Sequence, residues 1–143
     1  MSLFRYTLLL ICCLTVGCES LTDNDFDNNG NDGEDCNCNL YEEPESYDVK
    51  LKITLNSENK EVPITVYYGN IERNRIATQT TAISSPAVIT LKTGSNYTYL
   101  AKYLKGSDTV YVPVNARLST SYYICNDDTC WQVDNNVINL KLK

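Results

Sequence analysis

Cysteines are the residues of this chain with the most chemistry to offer, and four of them stand in two close pairs: Cys36 and Cys38 with one residue between them, and Cys125 and Cys130 with four. Such pairs can be disulfide partners or supply thiolates to a metal. Four cysteines allow three pairings. Residues 126–129, Asn-Asp-Asp-Thr, read as a four-residue polar turn between strand-like flanks. Cys125 and Cys130 can therefore face each other across a hairpin, where closing so small a loop contributes only about 2 kcal/mol. The alternative pairings run from Cys36 and Cys38 to the hairpin and staple the end of the leader to the last strands. Disulfides are the expectation, because C-x-C with C-x4-C is not a strong zinc spacing.

The chain contains no histidine. Serine and cysteine nucleophiles usually work with an imidazole, and hydrolytic zinc sites usually use it as a ligand, so both classes of chemistry lack a component here. Glu42, Glu43 and Glu45 are close in sequence, but a glycosidase pair needs a rigid cleft at a set separation, and the run reads as a solvated charge cluster. Asp25-Phe26-Asp27-Asn28-Asn29-Gly30 fits the first six positions of a calcium loop. Cys36 stands where such loops place a bidentate glutamate, and a match of this length is ordinary in an Asp/Asn/Gly-rich segment. The expectation is a protein without catalytic residues, cofactor or metal.

Arg5 and the free amino terminus precede an apolar run over residues 6–16, and Thr15-Val16-Gly17-Cys18 ends it with small residues before a cysteine. This layout resembles the lipobox of bacterial lipoproteins, with Thr15 where that box usually carries leucine. The resemblance implies a signal peptide over residues 1–17, lipid on Cys18, and attachment to a membrane through acyl chains, each buried methylene contributing about 0.8 kcal/mol. Cys12 and Cys13 then leave with the signal peptide.

Charge divides the remainder. Residues 19–46 hold ten Asp and Glu and no Lys or Arg, whereas residues 47–143 hold eleven Lys and Arg against eight Asp and Glu. A block so acidic, with Asn and Gly between the charges, has too little to bury to offset its ordering entropy. Residues 18–46 therefore read as the lipidated cysteine followed by a disordered spacer, about 30 Å long as a flexible coil. Glu19, Asp23, Asp25 and Asp27 look like the export signal by which Bacteroidetes lipoproteins reach the outer leaflet. That likeness implies an outer-membrane position facing the cell surface, the periplasmic face being the alternative.

From residue 47 the pattern changes to short strands. Tyr47, Val49, Leu51, Ile53 and Leu55 alternate with polar residues, and the period of two returns at Val62, Ile64, Val66 and Tyr68. Further strands are expected around residues 75–81 and 87–92, along Tyr97, Tyr99, Ala101 and Tyr103, along Val110, Val112 and Val114, from Tyr122 and Ile124, and at Ile138, Leu140 and Leu142. About eight strands joined by short turns must pair mostly antiparallel, and two stacked sheets bury their apolar faces. The fold class expected is all-β: a single antiparallel β-sandwich over residues 47–143. Leu91-Lys92-Thr93-Gly94-Ser95-Asn96-Tyr97 resembles the L-x-P-G-T-x-Y segment of fibronectin type III domains, and more loosely immunoglobulin-like and transthyretin-like sandwiches. In those domains the tyrosine hydroxyl bonds back across a corner. No proline precedes Gly94, and the only tryptophan is Trp131. As a whole the chain is similar to small Bacteroidetes lipoproteins that carry one such sandwich behind an acidic leader.

The tyrosines divide by strand phase. Tyr47, Tyr97, Tyr99 and Tyr103 fall on inward positions; Tyr67, Tyr111 and Tyr123 fall opposite the apolar phase and, with Trp131, are the candidate binding residues. Exposed aromatics anchor protein partners or stack on sugars. The expected function is a binding or accessory module for another envelope protein, with a small glycan-binding lipoprotein as the alternative. Nucleic acid is not an expected partner, since the eleven basic residues are scattered and the leader is acidic.

Overall fold

A computed structural model describes residues 38–143. Cys18, Cys36, the segment from Asp25 to Gly30 and the signal peptide lie outside the described residues. The sequence alternation becomes eight strands: β1 (Ser46–Lys52), β2 (Val62–Tyr68), β3 (Ile76–Ala82), β4 (Ala87–Lys92), β5 (Ser95–Lys105), β6 (Asp108–Cys125), β7 (Asp128–Asp134) and β8 (Val137–Asn139). Among the described residues the only helical element is one 3-10 turn, Ile71–Arg73, and no helix is long and apolar enough to cross a membrane.

The strands form two sheets, β4-β1-β8 and β3-β2-β5-β6-β7. They stack as the all-β sandwich that the alternation predicts. Val49 and Leu51 of β1, Ile89 and Leu91 of β4 and Ile138 of β8 face Val62, Ile64 and Val66 of β2 and Tyr97, Tyr99, Ala101 and Tyr103 of β5. The fold departs from strict antiparallel pairing at one place. β8 lies parallel to β1, with Leu51 beside Ile138, because the chain leaves β7 in the larger sheet and crosses to the smaller one before it can pair.

β6 is also one strand of 18 residues, where the sequence reads as two. The alternation of exposed and covered residues carries on from Val114 through Ala116 to Leu118, and the Ser-Thr-Ser of residues 119–121 has too little apolar bulk to signal that the strand continues. Residues 108–118 pair with β5 and residues 119–125 with β7.

Two features tie the sheets together. The β4–β5 link is a tight corner at Thr93 and Gly94, with Gly94 at φ +74°, a conformation glycine adopts without a Cβ penalty. Tyr97 Oη donates back across it to Lys92 O at 2.8 Å, the bond that the likeness of residues 91–97 implies. Asn59 is buried beside the end of β5, where its amide takes the place of a neighbouring strand. Its Nδ2 donates to Leu104 O at 2.9 Å, and its Oδ1 accepts from Leu104 N at 2.7 Å.

Residues 38–45, assigned by their sequence to the spacer, are fastened to the sandwich. Trp131 N donates to Leu40 O at 2.8 Å, Thr120 Oγ1 donates to Glu43 Oε1 at 2.7 Å, and Thr93 N donates to Glu45 O at 3.0 Å. This strap runs from the β7 edge past β6 to the β4–β5 corner and continues into β1.

Candidate functional site

Asn126 and Asp127 both have positive φ, 49° and 69°, in the left-handed region that Asn and Asp tolerate better than other side chains. Two consecutive left-handed residues make the type I′ turn whose twist matches a hairpin. The turn therefore has two residues, not the four expected from the sequence, and Asp128 and Thr129 belong to β7. The register follows: Cys125 stands opposite Asp128, Tyr123 opposite Cys130, and Tyr122 opposite Trp131.

That register overturns the hairpin pairing of the cysteines. Cys125 and Cys130 share a face but are offset by two positions, and Cys130 is bonded to Cys38 instead. Cys125 is disulfide-bonded as well. The Cys38–Cys130 bridge is of the stapling kind: it fastens the strap to β7, where Cys130 is completely buried.

The opposite face of the hairpin is open. Tyr122 and Trp131 meet as a cross-strand aromatic pair with ring centroids 5.2 Å apart, an arrangement that stabilises an antiparallel ribbon. Tyr122 is 62% exposed, and Ile124, one step along the same face, is 61% exposed. Both are expected inward from their strand phase. They face solvent because the hairpin extends past the smaller sheet, which has three strands against five. On the stapled face, Gln132 Nε2 donates to Ser121 Oγ at 2.9 Å, and Ser121 Oγ donates to Asp134 Oδ2 at 3.2 Å. Asp127, Asp128 and Asp134 are the charged residues of residues 119–134, so the hairpin is acidic.

The sequence-named aromatics do not converge. Tyr67 is half-buried on the outer face of β2 beside Thr98, and Tyr111 is exposed on the outer face of β6 beside Lys102, with β5 between them. Tyr123 is exposed next to Cys130, on the face opposite Trp131, and Trp131 itself is half-buried against Tyr122. Tyr122 and Ile124 are the binding candidates that strand phase alone missed; the Asn-Asp turn signal, taken as a two-residue loop, places Tyr122 opposite Trp131.

Titration is perturbed inside the core. Burial pushes up the phenols of Tyr97, Tyr99 and Tyr103, Tyr99 to about 12. All three rings pack in the core between the sheets. Comparison with protein families, with curated proteins and with solved structures finds no match for the chain. What the fold and the site define is a two-sheet β-sandwich carrying a disulfide-stapled hairpin with one open aromatic face.

Proposed function

We propose that the protein is a lipid-anchored component of the cell envelope, held through Cys18 and facing the cell surface, whose sandwich is a non-catalytic module that docks another envelope protein through the β6–β7 hairpin. The observation that carries the docking is the exposure of Tyr122 and Ile124 on one face beside Trp131. Burying such side chains gains about 25 cal/mol per Å² of apolar surface, and Tyr and Trp are common binding anchors. An isolated two-stranded hairpin is marginal in water. The staple to the strap holds this one in shape before it binds, which lowers the ordering cost of association.

The acidic residues around the hairpin favour a partner whose apolar patch has a basic rim. They disfavour an anionic polysaccharide. A flat sugar platform is not what the rings offer either, since Tyr122 and Trp131 are tilted 51° to each other and Trp131 is half-buried. The absence of histidine from the sequence supports the non-catalytic reading. The anchor rests on the likeness of residues 15–18 to a lipobox, and the surface position on the acidic residues after Cys18.

The test is crosslinking in intact cells followed by pull-down and mass spectrometry. A reproducible envelope partner, lost when Tyr122 and Ile124 are both changed to alanine, is expected. No partner, together with saturable Trp131 fluorescence changes on titration with a neutral polysaccharide, would replace the docking reading with glycan binding.

A further inference from the structure

The two sheets present four edges, and three of them carry features that discourage another strand. The β7 edge has the Leu40 carbonyl on its Trp131 N–H and begins and ends in aspartate. β8 is three residues long. β4 is bracketed by Pro86 and Lys92. β3 differs: between Arg75 and Pro86, residues 76–85 contain no charged residue, no proline and no glycine, and among the described residues no backbone hydrogen bond reaches the outer side of the strand. An uncovered, uncharged strand edge is a template for another strand, and natural sheets usually protect such edges with charge, proline or a cover. The single bulge in the β2–β3 ladder lies at the Ile76 end, between Val66 and Tyr67, and leaves residues 78–82 in regular register.

Backbone direction shows what the edge offers. Tyr68 N donates to Arg75 O, and Pro63, which has no N–H, stands opposite Thr81. Alternation along the ladder then turns the N–H and C=O groups of Gln79 and Thr81 away from β2. Both residues are exposed. Another extended polypeptide matches such a row of alternating donors and acceptors.

We propose that this edge binds the β3 edge of a second copy of the same chain, antiparallel, to make a two-fold dimer with one continuous sheet. Two observations select a second copy. The strand has no charge, so it meets its own image without repulsion, and it presents no charge by which a different partner would be chosen. Its exposed apolar residues stand at opposite ends: Ile76 is 47% exposed and Ile83, just past the strand, is 71% exposed. Antiparallel pairing sets the Ile83 end of one copy against the Ile76 end of the other, and two-fold symmetry repeats that contact, so the assembly closes at two. A contact along one short strand is smaller than a standard interface, which makes the dimer concentration-dependent.

The experiment is sedimentation of the full chain in detergent micelles over about a hundredfold range of concentration. The protein mass should double as concentration rises. Thr81→Pro removes an outward N–H without removing a β2–β3 hydrogen bond, and should leave a monomer throughout with the circular dichroism of the parent. Thr81→Lys places a charge on the edge and should do the same if the proline variant does not fold. The Tyr122→Ala, Ile124→Ala variant should dimerise like the parent. A parent that stays monomeric, a dimer unchanged in the Thr81 variants, or a dimer lost only with the hairpin residues would each overturn the assignment.

Discussion

Cys38 is bonded to Cys130 across 92 residues of sequence, whereas Cys125, only five positions before Cys130, is not its partner. A bridge over so long a loop removes far more freedom from the unfolded chain than a hairpin bridge does, about 4–5 kcal/mol against about 2 in the chain-entropy argument. Changing Cys38 and Cys130 together to alanine should lower the thermal midpoint substantially, measured by circular dichroism without reductant. Peptide mapping should recover a fragment joining Cys38 to Cys130; a fragment joining Cys125 to Cys130 would contradict the register of the hairpin.

The three buried tyrosines of β5 are equal in chemistry and unequal in bonding. Tyr103 Oη donates to Leu140 O at 2.7 Å and accepts from Thr54 N at 3.1 Å, and Tyr97 Oη donates to Lys92 O at 2.8 Å. Tyr99 Oη is buried with no partner among the described residues. An unpaired buried hydroxyl costs about 1–3 kcal/mol and a satisfied one contributes about 1. Tyr99→Phe should therefore raise stability by about 1 kcal/mol, while Tyr97→Phe and Tyr103→Phe lower it by about 1–2 kcal/mol. Urea unfolding of the three variants decides; destabilisation by Tyr99→Phe would mean that its hydroxyl has a partner in solution.

Alkaline pH should destabilise the fold through the same residues. Burial, with a smaller contribution from the neighbouring Tyr97, pushes the Tyr99 phenol from 10.0 to about 12, and burial is also the main cause for Tyr97 and Tyr103. The folded state holds these protons more tightly than the unfolded chain does. Their stabilisation is complete below pH 10 and is lost as pH rises toward and through about 12. Urea midpoints should fall over that interval, and fall less steeply in Tyr99→Phe; parallel curves for the two proteins would show that Tyr99 does not titrate this way.

Asn59 should behave as a core residue although it sits in a turn. Alanine there leaves both the N–H and the C=O of Leu104 without the partners they have, at a cost of about 2–3 kcal/mol. Exposed Asn56→Ala serves as the comparison, since it removes the bonds that Asn56 Oδ1 accepts from Glu58 N, Asn59 N and Asn59 Nδ2 but leaves both Asn59 bonds to Leu104 in place and orphans no group of β5. A smaller loss for Asn59 than for Asn56 would count against the strand-substitute role.

On the hairpin, Tyr122→Ala with Ile124→Ala should leave the folding free energy within about 1 kcal/mol of the parent, because exposed side chains contribute little to folding. The same pair should abolish capture of the crosslinked envelope partner. Tyr111→Ala, on the outer face of the sheet, should leave capture intact. Loss of capture in Tyr111→Ala alone would move the docking surface off the hairpin.

Much of the fold was legible because a period of two is a local property. Tyr97, Tyr99, Ala101 and Tyr103 alternate in sequence and are all buried, as are Val62, Ile64 and Val66. The corner bond of Tyr97 was legible too, through the likeness of residues 91–97 to the fibronectin type III segment, which lies within seven consecutive residues. The candidate site was less so. Tyr122 and Ile124 have the alternation of a buried face, and only the mismatch between a three-stranded and a five-stranded sheet exposes them. The turn was misread because Asn-Asp as a left-handed pair is less distinctive than Asn-Gly.

By itself, then, the sequence determined the strands, the inward tyrosines, the change of composition before residue 47 and the absence of imidazole chemistry, all of which depend on neighbours along the chain. The tertiary structure decided which cysteine Cys130 meets, that β8 runs parallel to β1, that Asn59 completes β5, and which aromatic face stays open. Each of these sets residues far apart in sequence against one another. No local pattern encodes such a pairing, because it exists only once the sheets have stacked and one of them has proved too narrow to cover the other.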